Sequence, residues 1–144
     1  MAVVKNGMIT GNKVSLAPIV IFMKIKKVWH VSGWNYPIEP NDLNDVFLWR
    51  LMNCWGWVTW ADRWKYYEKN TEQIMKEFSK KDVDKFNFDG VEDFFGQIVG
   101  KHKKEINTWA IVWYAIIFKK NGLCLNPAQT FKDYIESAKT NDWQ

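Results

Sequence analysis

The stretch at residues 55–65, WGWVTWADRWK, holds four of the chain's ten tryptophans, including Trp55, Trp57 and Trp60. An indole ring offers a flat apolar face, and sugar rings stack their C–H faces on such surfaces. Gly56, between the first two rings, would let both approach a ligand closely. Large aromatic side chains also dominate protein cores, so core packing and a ligand platform remain open for these three tryptophans.

Few residues support metal binding, histidine-based catalysis or nucleic-acid binding. The chain has two cysteines, Cys54 and Cys124, and two isolated histidines, His30 and His102. Neither set has the spacing of a zinc site or of a histidine-based catalytic triad, so we predict free thiols in a reducing compartment. The net charge is only +4, and the basic residues are spread along the chain. This pattern argues against nucleic-acid binding and allows at most peripheral contact with a membrane.

At 144 residues, the chain is long enough for one domain with a substantial core. The apolar runs at 14–23 and 106–118 are too short to span a bilayer. We therefore expect a cytoplasmic protein, which could act at the inner face of the membrane.

The elements that would position the tryptophans include both strands and helices. Strands are predicted at 14–23, 28–34 and 123–125, residues 1–13 form a loose terminus or an edge strand, and 46–52 is either a strand or a helical turn. A long helix is predicted from Thr59 to Lys80, with Thr59 as N-cap and Asp62 as its capping partner. Arg63 would then be a solvated cation or a phosphate contact.

The second half of the chain predicts further helices. Asp89 and Glu92 have the spacing of a capping box that opens a helix ending near Gly100. A very apolar helix follows, running to the Asn121-Gly122 stop, and a last helical segment is expected within 131–144. The predicted fold class is α+β, with a few short strands packed by three to four helices.

Five segments in order carry a resemblance to a known family: VSGWNYP at 31–37, WGWVTWADRWK at 55–65, FDGVEDFFGQI at 88–98, INTWAIVWY at 106–114 and KKNGLCLNP at 119–127. Together they resemble the acceptor-side half of bacterial family 2 glycosyltransferases, which have the GT-A fold. Those enzymes move a sugar from a nucleotide-sugar to a growing surface glycan or lipid-linked saccharide. The resemblance covers 27–130, with 1–26 outside it and 131–144 as a divergent tail.

This resemblance implies a partial GT-A-like domain. In the family, a preceding half binds the nucleotide-sugar and uses a D-x-D motif to hold a divalent cation. Such a half is not expected within residues 1–26, and Asp82-Val83-Asp84 is interpreted as a solvated turn. We therefore expect this chain alone to bind no cofactor. A nucleotide-sugar with Mn²⁺ or Mg²⁺ is expected only for a complete enzyme, with a separate donor-binding half as partner.

The resemblance also assigns roles to individual residues. Asp93 and Glu92 match the acidic pair that the family places near its acceptor, so Asp93 is the expected general base and Glu92 the second candidate. The expected acceptor-binding residues are Trp55, Gly56, Trp57, Trp60 and Arg63. The predicted function is acceptor binding within a glycosyltransferase, inactive alone. The alternatives are a carbohydrate-binding module without chemistry and a self-associating domain that forms homo-oligomers.

Overall fold

The computed structural model describes residues 2–5, 25–36 and 46–128. The chain divides into two units: Met1–Ala61 with Leu123–Gln144, and Asp62–Gly122. The described residues contain both strands and helices, so the predicted α+β class is confirmed.

The first unit contains a mixed sheet with strand order β1-β4-β2-β5-β3. Strands β2 and β5 run parallel, and the other neighbouring strands are antiparallel. In the pairing of β2 with β4, Ser32 faces Trp57, so the end of β2 lies beside the start of β4. The strand bounds are Ala2–Lys5 (β1), Val28–Ser32 (β2), Val46–Trp49 (β3), Trp57–Trp60 (β4) and Leu123–Pro127 (β5).

The core of the first unit is built from side chains of its central strands. Val28, Val31, Trp60 and Leu125 form one buried cluster, and the partly buried Val46 and Val58 pack against it. β-Branched and aromatic side chains fit the pleated surface of a sheet, and burying each one contributes on the order of 1.5–3 kcal/mol.

The second unit is helical. Its most apolar helix contributes seven consecutive buried residues, 111–117, and is closed by the amide of Gly122, which donates to the carbonyl of Ile117 (2.8 Å). Phe86 stacks on Tyr114 with 4.5 Å between ring centroids. The helix bounds are Ala61–Trp64 (α1), Thr71–Glu77 (α2), Lys80–Phe86 (α3), Phe94–His102 (α4) and Ala110–Lys119 (α5).

Several predicted elements are confirmed. Strands β2 and β5 and helix α5 lie where the apolar runs indicated. Residues 46–49 form a strand, and β1 is an edge strand of the sheet. The predicted strand at 14–23 and the helical segment at 131–144 lie outside the described residues.

The predicted helix from Thr59 to Lys80 is wrong. Thr59 lies in β4, where its hydroxyl donates to the carbonyl of Trp29 (2.6 Å) instead of capping a helix. Pairing with two neighbouring strands overrides the Thr-x-x-Asp spacing. Beyond the short α1, side chains of Asn70 and Ser79 cap two separate helices, α2 and α3.

The predicted solvated turn at Asp82-Val83-Asp84 is also wrong, because these residues lie in helix α3. Asp82 belongs to α3, where it forms a capping box with Ser79: each side chain bonds the other residue's backbone amide. The predicted box of Asp89 and Glu92 does not form either. Phe88, Asp89 and Gly90 all have positive φ, which no right-handed helix allows, so α4 begins later, at Phe94.

Candidate functional site

The turn before β4 is held by the backbone and side chain of Asn53. The carbonyl of this buried residue accepts hydrogen bonds from Nε2 of His30 (2.7 Å) and Oγ of Ser32 (3.1 Å). Its side-chain oxygen accepts from the amide of Trp55 (3.0 Å). Asn53 therefore fixes the turn to β2 on one side and sets the backbone at Trp55 on the other.

His30 holds this turn through a hydrogen bond from its neutral imidazole ring. It is fully buried and stacks on Trp57, with 5.3 Å between ring centroids and 16° between ring planes. Burial lowers its pKa from 6.5 to about 4, and the hydrogen bond to Asn53 opposes that shift only in part. Because a carbonyl can only accept, Nε2 carries the hydrogen. At neutral pH the ring is an uncharged donor inside the core.

A close contact between two glycines joins the end of β2 to the same turn. The amide of Gly33 donates to the carbonyl of Gly56, which itself has a φ of +54°. A β-carbon at position 33 would lie 2.5 Å from that carbonyl oxygen. Only glycine permits this approach of the two backbones.

Three aromatic residues stand next to or close to the two glycines in the sequence, and we call them the aromatic surface: Trp34, Tyr36 and Trp55. Trp55 is 59% exposed and Tyr36 is 58% exposed. Trp34 is partly buried and meets the Tyr36 ring edge to face, with 4.9 Å between centroids. These rings lie in segments adjoining β2 and β4, so a ligand could contact them without any change in the sheet.

The other two tryptophans of the predicted platform do not present ring faces to solvent. Trp57 is 4% exposed under its stacking contact with His30, and Trp60 is 6% exposed in the core cluster of the first unit. Their assignment to acceptor binding is therefore corrected: both pack in the sheet. Of the predicted platform, Trp55 and Gly56 remain. Trp55 supplies the exposed aromatic ring, and Gly56 shapes the turn.

The predicted acidic residues belong to the second unit. Asp93 is the N-cap of α4, and its side chain accepts from the amide of Gly96 (2.9 Å). The N-cap is thus Asp93, in place of the predicted capping box of Asp89 with Glu92, and Glu92 is exposed just before the helix. Both carboxylates are accessible to solvent, and their assignment as base and second candidate stays a prediction.

Arg63 differs from its predicted environment. It is 8% exposed, and its guanidinium Nη1 lies 3.0 Å from Oδ1 and 3.1 Å from Oδ2 of Asp62. The interpretation as a solvated cation is wrong, because the side chain is buried and paired with its neighbour. This pairing makes Asp62 the partner of Arg63 rather than a helix cap.

The sequence interpretation missed Trp34 and Tyr36. Both stand in VSGWNYP, where a glycine is followed by two aromatic residues on either side of Asn35. Gly33 lies within the strand predicted at 28–34, where a glycine indicates a close backbone approach, and that signal could have drawn attention to the aromatic residues beside it.

The described residues show three further features. Cys54 and Cys124 are free thiols, as predicted. Within 2–5, 25–36 and 46–128, no three His, Cys, Asp or Glu side chains are grouped to hold a metal ion. No helix in that part of the chain is long and apolar enough to cross a membrane.

Comparisons with protein-family models, curated proteins and solved structures found no match to this chain.

Proposed function

We propose that this chain binds a saccharide acceptor through Trp55, as the acceptor-binding part of a glycosyltransferase. The observation that carries the proposal is the exposed indole on an anchored turn. Trp55 is 59% exposed, while its amide is bonded to the buried Asn53 and the next residue is held against Gly33.

An anchored turn favours stacking for an energetic reason. Binding costs free energy when loops and side chains become ordered, and a backbone that is already fixed reduces this cost. A tryptophan adds a large contact area with only two side-chain torsions to restrict. Trp55 can therefore contribute much of its stacking free energy to binding a sugar ring.

The two segments that contain the aromatic surface are uncharged, which fits a neutral ligand. Residues 33–36 and 53–57 include no Asp, Glu, Lys or Arg. Binding to a nucleic acid depends strongly on cations that neutralise phosphates, and this segment supplies none. A neutral polyhydroxyl compound can stack on an apolar ring face without a charged partner, and the exposed indole of Trp55 offers such a face.

The transfer reaction rests on the family resemblance. In that scheme, Asp93 takes the proton from the acceptor hydroxyl, and a separate donor-binding half holds the nucleotide-sugar with its divalent cation. Asp93 is exposed at the start of α4, which leaves its carboxylate accessible.

A second candidate function is saccharide binding without transfer. It is favoured by the hydrogen bond from the Gly96 amide to Asp93, because this gives the carboxylate a structural role independent of catalysis. The two candidates share the Trp55 site and differ only in whether Asp93 does chemistry.

Titration calorimetry tests the shared binding step. The chain is titrated with cello-oligosaccharides and with oligomers of N-acetylglucosamine, as the wild type, Trp55→Ala and Tyr66→Ala. Tyr66 is the matched control, since it is an exposed aromatic residue in the second unit. We expect Trp55→Ala to weaken binding at least about tenfold, as removal of a central aromatic anchor does, and Tyr66→Ala to bind like the wild type. Absence of binding by the wild type, or equal binding by Trp55→Ala, would refute the proposal.

A second titration addresses the donor. With UDP- or GDP-sugars and Mn²⁺, we expect no heat of binding from this chain alone. Clear binding would contradict the assignment of the donor to a separate half. Transfer to an oligosaccharide would refute the second candidate, and loss of that transfer in Asp93→Asn would assign the base to Asp93, since asparagine keeps an N-cap side chain but removes the carboxylate.

A further inference from the structure

We infer that Tyr36 provides a second stacking position beside Trp55, so that the ligand is an oligosaccharide of at least two linked pyranose rings. This inference rests on the proposed function, and it specifies the length of the saccharide that the aromatic surface binds. Neither Tyr36 nor Trp34 was assigned a role by the sequence.

The register of the sheet brings the two rings to one end of the first unit. Ser32 pairs with Trp57, and the next contact along is the Gly33–Gly56 hydrogen bond. Trp55 is one residue from that contact and Tyr36 is three residues from it. With about 3.8 Å between successive Cα atoms, the two Cα positions lie no more than roughly 20 Å apart. Two separate aromatic residues within that limit can each stack on a different ring of one short oligosaccharide.

The backbone around Tyr36 positions its ring toward solvent. Asn35, the residue before it, is 2% exposed, whereas Tyr36 is 58% exposed. The chain thus anchors one side chain inside and turns the next one out. Trp34 meets the Tyr36 ring at 4.9 Å and 67°, which limits the movement of that ring.

Both rings lie in segments without charged residues, 33–36 and 53–57. Exposed aromatic ring faces in uncharged segments fit pyranoses whose substituents are equatorial, such as glucose and N-acetylglucosamine. The axial C–H groups of such rings form the faces that stack.

The test uses a series of saccharides of increasing length. Affinities for glucose, cellobiose and cellotetraose, and for the matching N-acetylglucosamine series, are measured with the wild type, Tyr36→Ala and Tyr36→Phe. We expect the wild type to gain at least about tenfold in affinity from the monosaccharide to the longer oligomers. Tyr36→Ala should lose most of this gain, and Tyr36→Phe should keep it, because phenylalanine preserves the ring face.

The outcomes separate this inference from the proposed function. If Tyr36→Ala gains as much as the wild type, or if the wild type binds all lengths equally, the second stacking position is refuted while binding at Trp55 stands. If no saccharide binds the wild type at all, the proposed function fails and the inference fails with it. Thermal unfolding of Tyr36→Ala should match that of the wild type, since the side chain is mostly exposed.

Discussion

Substitution of Gly33 by alanine tests the contact that fixes the aromatic surface. A β-carbon at this position would lie 2.5 Å from the carbonyl oxygen of Gly56 and 3.4 Å from its carbonyl carbon. These are backbone atoms, so the clash cannot be relieved by rotating a side chain. The end of β2 and the turn before β4 would have to separate.

The expected cost follows from two effects. Overpacking of this kind typically costs about 1–3 kcal/mol. Separation also weakens the hydrogen bond from the Gly33 amide to Gly56, a loss of about 1 kcal/mol. We therefore expect Gly33→Ala to lower the free energy of unfolding by about 2–4 kcal/mol, and to weaken saccharide binding because the Trp55 turn is displaced.

The assay is urea unfolding followed by tryptophan fluorescence, with saccharide titration of the same variant. Gly100→Ala is the control, because a β-carbon there meets only ordinary contacts, the nearest at 3.5 Å, within helix α4. Alanine in a helix should leave stability unchanged or raise it by about 0.5–1 kcal/mol. If Gly33→Ala proves as stable as the wild type and binds equally well, the reasoning about this contact is refuted.

Three further perturbations test other parts of the molecule. Burial lowers the pKa of His30 from 6.5 to about 4. As the pH falls, His30 is therefore protonated in the unfolded chain before it is protonated in the folded chain. The free energy of unfolding should therefore fall by about 3 kcal/mol between pH 6.5 and pH 4, and urea titrations of His30→Gln should lack this component. Asp93→Ala removes the cap of α4 and should cost about 1 kcal/mol in thermal unfolding, whereas Asp93→Asn should cost little; equal losses would contradict a capping role. Phe86→Ala removes a fully buried ring stacked on Tyr114 and should cost about 3–5 kcal/mol in urea unfolding, and a loss below 1 kcal/mol would show that this ring is not in the core.

Long apolar runs made some elements predictable from sequence. Helix α5 has an uninterrupted apolar stretch and a stop at Asn121-Gly122, so both its burial and its end followed from local signals. The β-branched residues of β2 likewise indicated a strand. In these segments the local preference and the tertiary environment agree.

Other elements depend on partners distant in the sequence. Residues 57–60 form a strand because β1 and β2 pair with them, and the capping pattern of Thr59 gave no sign of that pairing. The same pairing buries Trp57 and Trp60 while Trp55, two residues before the strand, stays exposed. The start of α4 was displaced by three consecutive residues with positive φ, 88–90. Backbone conformation and strand pairing, rather than residue type, decided which tryptophan could face a ligand.

The most direct test of saccharide binding at Trp55 observes the tryptophans individually. The chain has ten indole N–H groups, and a ¹H–¹⁵N spectrum resolves each as a signal that single Trp→Phe variants assign. On titration with cellotetraose or the N-acetylglucosamine tetramer, we predict that the Trp55 signal shifts most, and that the buried Trp57, Trp60 and Trp113 shift little. Shifts confined to the buried tryptophans, or no shift at Trp55 at saturating saccharide, would contradict the account.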